Sequence, residues 1–127
     1  MILADTSVWV ELLNSRSAVP LEILIEIVTC GPVVQEITQG MRNSSDARTF
    51  LLTFDAVPRI CDPLPERIFR EAAEIYRQGR SRGFTIRSST DCLIAAIAIN
   101  HDVPVWHRDR DFRTIAQYTP LRTLERG

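Results

Sequence analysis

The sequence predicts an α/β domain with a short, mainly parallel central sheet flanked by helices. Three observations carry that reading. Short apolar segments alternate with longer helical patterns along the whole chain, which is the order a parallel sheet with crossover helices needs. One of the helical segments is apolar on every side and has to be enclosed by the rest of the fold. The chain has 127 residues, 45% of them hydrophobic and 24% charged, enough for one compact domain, residues 1–127, with a sizeable core. That composition excludes a disordered tail, a collagen-like fibre and a disulfide-stapled mini-protein.

Element by element, Ile2–Ala4 is a first strand that ends at Asp5-Thr6-Ser7, and Val8–Leu13 is a first helix. Asn14–Pro20 is a turn-rich break, and Leu21–Val28 covers a helix and the start of a second strand, which periodicity does not separate over so short a run. Gly31-Pro32 restarts a helix, with proline suited to its first turn, and the helix stops near Gly40. Arg48–Phe54 reads as a helix and Ala56–Ile60 as a strand. Pro65–Arg82 is the clearest amphipathic helix, with Ile68, Phe69, Ala72, Ile75 and Tyr76 on one stripe and Gly83 closing it. Ser88–Asn100 is the enclosed helix, apolar from Cys92 to Ile99. Val103–Trp106 is a strand, Phe112–Tyr118 a helix and Leu121–Leu124 a last strand.

Net charge is −1, so no global basic field announces a nucleic-acid partner. All 15 basic residues are arginine. The lack of lysine excludes a P-loop, a phospho-acceptor receiver domain, a haloacid-dehalogenase-type phosphatase and Schiff-base chemistry. Cys30, Cys61 and Cys92 lie about thirty residues apart with no CxxC pair, which does not suit zinc and reads as buried, reduced thiols. His101 and His107 lack metal-ligand spacing and read as structural or surface residues. No apolar run is long enough to span a membrane, and Met1–Asp5 has no basic region of a signal peptide, so a cytoplasmic protein is expected.

The informative feature is where certain carboxylates fall. Asp5 directly follows the first strand, and Asp109 and Asp111 follow Val103–Trp106. In an open parallel sheet, residues just past the strand C-termini line the crevice where ligands bind. Asp91 sits at the mouth of the enclosed helix, and Glu36 lies one turn into the helix after Gly31-Pro32. All of these positions can converge on one end of the sheet. Carboxylates so gathered cannot all stay ionised without a cation. Oxygen-only ligands select a hard ion, Mg²⁺ or Mn²⁺, over zinc, and such an ion activates water and steadies charge on phosphoryl oxygens. Each acid also has an everyday role. Asp5 suits a helix N-cap, and Asp91 suits a capping box over Ser88-Ser89-Thr90-Asp91. Glu36 suits a solvated helix face, and Asp109 and Asp111 a charged loop. Spacing alone leaves both readings open.

Four segments resemble the PIN-domain ribonucleases, and among them the VapC-type toxins of bacterial toxin–antitoxin pairs. These are Ile2–Val10 with its Asp-Thr-Ser turn, Gln35–Gly40 with its Glu ahead of a Gly, Ser89–Ala98 with Asp91 before Leu93-Ile94-Ala95-Ala96, and His107–Phe112 with its Asp-x-Asp-Phe. They span the chain in the family's order. The resemblance implies a PIN-like fold in which Asp5, Glu36, Asp91 and Asp109 hold Mg²⁺ or Mn²⁺ as the catalytic acids, with Asp111 auxiliary. It implies that Thr6 or Ser7 offers a hydroxyl to water or phosphate. His107 departs from the family pattern, which more often has a small hydroxyl residue there, and leaves open which of Asp109 and Asp111 reaches the ion.

Six arginines lie from Arg67 to Arg87, and Arg108, Arg110 and Arg113 bracket the closing acids. Arginine forks suit phosphate, and Arg82, Arg87 and Arg110 are the candidates for RNA contact. Leu12, Leu13, Leu21, Ile23, Leu24, Leu51, Leu52 and Phe54 exceed the evident needs of the core, although plain core burial is an equally open reading for most of them. In the family, the early helices form a groove filled by a VapB-type antitoxin segment, and the toxin is a homodimer. The function so implied is a metal-dependent endoribonuclease, the toxin of a VapBC pair. Two rivals stand beside it: a DNA-directed or structure-specific nuclease using the same acids, and a non-catalytic PIN-like scaffold that binds RNA or protein.

Overall fold

A computed structural model describes residues 1–14 and 20–125. Most of the turn-rich break expected at 14–20 lies outside the described residues. Among the described residues four strands, β1 (Ile2–Ala4), β2 (Ile27–Val28), β3 (Val105–Trp106) and β4 (Thr123–Leu124), form one sheet in the order β2-β1-β3-β4. Every pairing is parallel, with Leu3 opposite both Val28 and Val105. β1 is therefore a central strand, and its run Ile2-Leu3-Ala4 is buried throughout, the continuous apolar pattern of a strand covered on both faces.

Among the described residues seven helices surround the sheet: α1 (Thr6–Asn14), α2 (Leu21–Leu24), α3 (Gly31–Gly40), α4 (Ser45–Asp55), α5 (Glu66–Ser81), α6 (Ser89–His101) and α7 (Arg110–Ala116). Their ends follow from local chemistry. Pro32 sits in the first turn of α3, and the Ser44 hydroxyl caps α4 by accepting the Ala47 N–H at 3.1 Å. α6 closes on Asp102 in the left-handed region at φ 51°, a conformation that aspartate tolerates better than most residues. α5 buries Ile68, Ala72, Ile75 and Gly79 along one stripe and packs along α6, whose Ile94–Ala98 segment is wholly buried.

Two sequence expectations change. Ala56–Ile60 is not a strand. It makes one parallel bridge, Thr29 to Arg59, through Thr29 N–H to Pro58 O at 2.9 Å and Ile60 N–H to Thr29 O at 2.8 Å. Pro58 has no N–H to extend the ladder, and Cys61 turns the chain away at φ 56°. Phe69 leaves the core stripe of α5 and is 50% exposed. Phe54, open between core and a partner groove, is core: it is 1% exposed and meets Trp9 edge-on at 5.0 Å. The three cysteines are free, with Cys30 and Cys92 buried and Cys61 only half-buried. Among the described residues no helix is long and apolar enough to cross a membrane.

Candidate metal centre

The turn after β1 supplies the first three groups. Asp5 N–H continues the sheet by donating to Trp106 O at 3.0 Å, and the side chain is buried behind it. Asp5 Oδ1 accepts the Val8 N–H at 3.3 Å and the Ser7 hydroxyl at 2.6 Å. The N-cap role and a place in the acidic crevice thus coincide in one carboxylate. Thr6 Oγ1 donates to Glu36 Oε1 at 2.7 Å, which draws α3 onto the turn. Ser7 Oγ accepts the Arg108 N–H at 3.0 Å, so its hydroxyl is committed on both sides rather than offered to solvent.

Asp91, Asp109 and Asp111 form the tightest acidic group among the described residues, with one carboxylate oxygen from each lying within 4.8 Å of the others. Asp109 caps α7, its Oδ1 accepting the Asp111 N–H at 2.9 Å. Asp111 is buried, and its Oδ2 accepts the N–H groups of Arg87 and Ser88, each at 3.1 Å. That contact satisfies the start of α6, whose own Ser88 side chain makes no capping bond. The capping box considered for Ser88–Asp91 therefore does not form: Asp91 Oδ2 is buried with no hydrogen-bond partner. A buried carboxylate oxygen left unsatisfied is costly, and a cation is the group that would relieve it.

The electrostatics agree with this geometry. Burial pushes the Asp5 carboxyl up to about 6 despite the Ser7 and Val8 bonds, and the charges of Asp109 and Glu36 add to the rise. Asp91 is pushed up to about 9, first by burial and then by Asp109 and Asp111. Asp109 is thus the common neighbour, acting on Asp5 from one side and on Asp91 from the other. Five acids from four separate stretches meet past the C-terminal ends of β1 and β3. Their donors are all oxygen, and two of them, Asp109 and Asp111, crowd the incompletely satisfied Asp91, an arrangement that fits a hard divalent ion and not zinc.

Around the acids the basic residues divide. Arg82 lies over the Tyr118 ring at 5.8 Å, Arg87 contributes its main-chain N–H to Asp111, and Arg110 is exposed at the start of α7. Among the described residues, none of these three side chains forms an ion pair. Arg113 pairs with Glu125. Arg108 forks onto Glu11, with Nε to Oε2 at 2.8 Å and Nη2 to Oε1 at 3.2 Å. Sequence reasoning missed that pair; its only signal was the four-residue step from Ser7 to Glu11 on one helix. His107, expected to be a structural or surface residue, is fully buried against Phe112 at 5.3 Å between ring centres, and burial lowers its pKa.

A family model described as PIN domain matches residues 2–118. The chain belongs to the PIN-domain family. It is 39% identical to VapC ribonuclease Mb1587 of Mycobacterium bovis and to Ribonuclease VapC11 of Mycobacterium tuberculosis, with 96% of this chain and 96% of each relative covered. Its fold matches the structure of VapBC-1 from nontypeable Haemophilus influenzae with a TM-score of 0.72 at 18% identity, covering 98% of both chains. FitAcB from Neisseria gonorrhoeae gives a TM-score of 0.71 at 18% identity, covering 98% of this chain and 97% of that one. At those identities the structural likeness concerns the PIN fold alone.

Proposed function

We propose that this PIN domain is a divalent-metal-dependent endoribonuclease and the toxin of a VapBC pair. The observation that carries the reading is Asp91, which has one buried oxygen without a hydrogen-bond partner and offers a carboxylate oxygen within 4.8 Å of oxygens of Asp109 and Asp111, in a chain whose relatives are named as VapC ribonucleases. Asp5, Glu36, Asp91 and Asp109 would hold Mg²⁺ or Mn²⁺, with Asp111 auxiliary. A divalent ion there supplies positive charge for phosphodiester oxygens and lowers the pKa of water.

The chain's own groups do the rest. Ser7 fixes the Asp5 carboxylate, Thr6 fixes Glu36, and Asp111 holds the start of α6 so that Asp91 faces inward. Arg82, Arg87 and Arg110 are the proposed contacts to RNA phosphates, since arginine offers a planar fork to such oxygens. A VapB-type antitoxin is the proposed protein partner. Val10, Leu13 and Met41 line a cleft of about 540 Å³ between α1, the end of α3 and the start of α4, and Leu21 and Leu52 expose apolar surface on α2 and α4.

Cleavage of matched RNA and DNA strands with Mg²⁺, Mn²⁺ or EDTA tests the reading. RNA cut only with metal, by the wild-type chain but by neither Asp5→Asn nor Asp91→Asn, is the expected result. Cleavage that persists in both variants overturns the site assignment. Preferential cutting of DNA overturns the substrate, and folded protein that takes up no Mn²⁺ is a scaffold rather than an enzyme.

A further inference from the structure

We infer that Glu11 and Arg108 form a positioning clamp, holding the loop that carries Asp109 against the helix that follows Asp5. The inference rests on the carboxylates being a divalent-ion site.

The need for such a clamp follows from the sheet. The rung from Asp5 N–H to Trp106 O, at 3.0 Å, joins the end of β1 to the end of β3. Beyond it one chain turns into α1 and the other into residues 107–109, so the ladder no longer sets the spacing between Asp5 and Asp109. Two contacts take its place, and both come from Arg108. Its main-chain N–H donates to Ser7 Oγ at 3.0 Å. Its guanidinium forks onto Glu11 at 2.8 and 3.2 Å. Ser7 and Glu11 are four residues apart on α1 and so share a face, one turn apart. One arginine therefore grips that face at two heights, which sets both how near the loop lies and the angle at which it leaves the strand. His107 N–H fixes the other side of the loop by donating to Leu124 O at 3.0 Å. Asp109 is the next residue, and a planar bidentate pair gives it a defined origin that a single contact would not.

A different account makes Glu11 and Arg108 an idle surface pair, since such pairs contribute little to folding stability. Charge separates the two accounts. Removing the Arg108 cation would, on electrostatics alone, favour a divalent ion nearby. Removing a clamp disfavours it.

The test is calorimetric titration of Mn²⁺ into the EDTA-treated full chain as wild type, Arg108→Ala, Glu11→Ala, Glu11→Gln and the exchanged pair Glu11→Arg/Arg108→Glu. Thermal midpoints and separate kcat and KM values for RNA cleavage accompany each titration. Both alanine variants are expected to bind Mn²⁺ about three- to tenfold more weakly, below the loss typical of a contact made directly to a metal ligand. They are expected to lose kcat with KM little changed, at unchanged thermal midpoint. Glu11→Gln falls between, and the exchanged pair recovers most of the loss. Equal or tighter Mn²⁺ binding by Arg108→Ala overturns the clamp, and so does an exchanged pair no better than the single variants. Wild-type protein that takes up no Mn²⁺, or uptake that Asp91→Asn leaves intact, overturns the metal centre itself, so the two failures are distinct.

Discussion

Thr6 Oγ1 donates a hydrogen bond to Glu36 Oε1 at 2.7 Å, joining two side chains thirty residues apart in sequence. Glu36 is only half-buried on α3, where a glutamate otherwise swings freely into solvent. The hydroxyl holds it toward Asp5, whose carboxyl feels its charge. Thr6→Val keeps the shape and removes the donor. Calorimetry should find Mn²⁺ binding weakened by about tenfold, as for other contacts that orient a metal ligand. Urea unfolding should show a stability change of only ~1 kcal/mol, and Thr6→Ser should restore binding.

Asp91→Asn separates stability from function. In the metal-free chain the Asp91 carboxyl lies buried beside Asp109 and Asp111 and holds its proton up to about pH 9. Replacing it with a neutral amide of the same shape removes the cost of taking up that proton on folding and should abolish RNA cleavage. In EDTA at pH 7.5 the variant should be at least as stable as wild type, with a gain of about 1–3 kcal/mol. At pH 5 the difference should shrink, because the unfolded carboxyl is there only just above its ordinary 3.8 and takes up a proton on folding at little cost. A large loss of stability at pH 7.5 would show that the carboxylate is a favourable structural element.

The pH dependence of the metal-free fold follows from Asp5. Its carboxyl titrates near 6 in the folded chain and near its ordinary 3.8 in the unfolded one. Below 3.8 both states are protonated and there is no effect. Between these values the unfolded chain loses its proton first, so rising pH favours unfolding. Above 6 the penalty is complete, at roughly 3 kcal/mol. The gap between wild type and Asp5→Asn in urea midpoints, measured in EDTA from pH 3.5 to 8, isolates this group. It should widen in favour of the variant as pH rises to about 6 and then level off. Saturating Mn²⁺, which takes up the deprotonated folded form, should reverse the sign of that gap.

Much of this was legible in the sequence, for identifiable reasons. The central strand could be read because Ile2-Leu3-Ala4 is an unbroken apolar run closed by an acid, and α6 because its apolar surface continues from Cys92 to Ile99. Asp5 and Asp109 could be placed beyond β1 and β3 because position after a strand is itself a structural statement. The pairings were not. That Asp111 caps α6 depends on how α7 meets the start of α6, and that Arg108 chooses Glu11 over solvent depends on the loop angle after β3. Neither leaves a local pattern. Ala56–Ile60 misled because its apolar composition outweighed Pro58, although a missing N–H limits a strand whatever its neighbours. Phe69 misled because helical periodicity gives the stripe but not its width; the buried stripe of α5 is narrow enough to leave it half-exposed.

The region proposed for the antitoxin contains both surface and core, and two substitutions distinguish them. Phe54 is 1% exposed and forms an aromatic cluster, edge-on to Trp9 at 5.0 Å and stacked on Phe50 at 6.1 Å. The Arg59 guanidinium covers it at 5.5 Å from the ring centre. Phe54→Ala removes the centre of that cluster and leaves a cavity, so it should cost about 3–5 kcal/mol in urea unfolding. Leu52, two residues away on the same helix, is 75% exposed. Leu52→Ser should change stability by less than ~0.5 kcal/mol and leave RNA cleavage intact, while weakening capture by a co-expressed antitoxin. Equal antitoxin binding by Leu52→Ser and wild type would remove this face of α4 from the partner surface, leaving the cleft beside Val10 and Met41 as the place to test next.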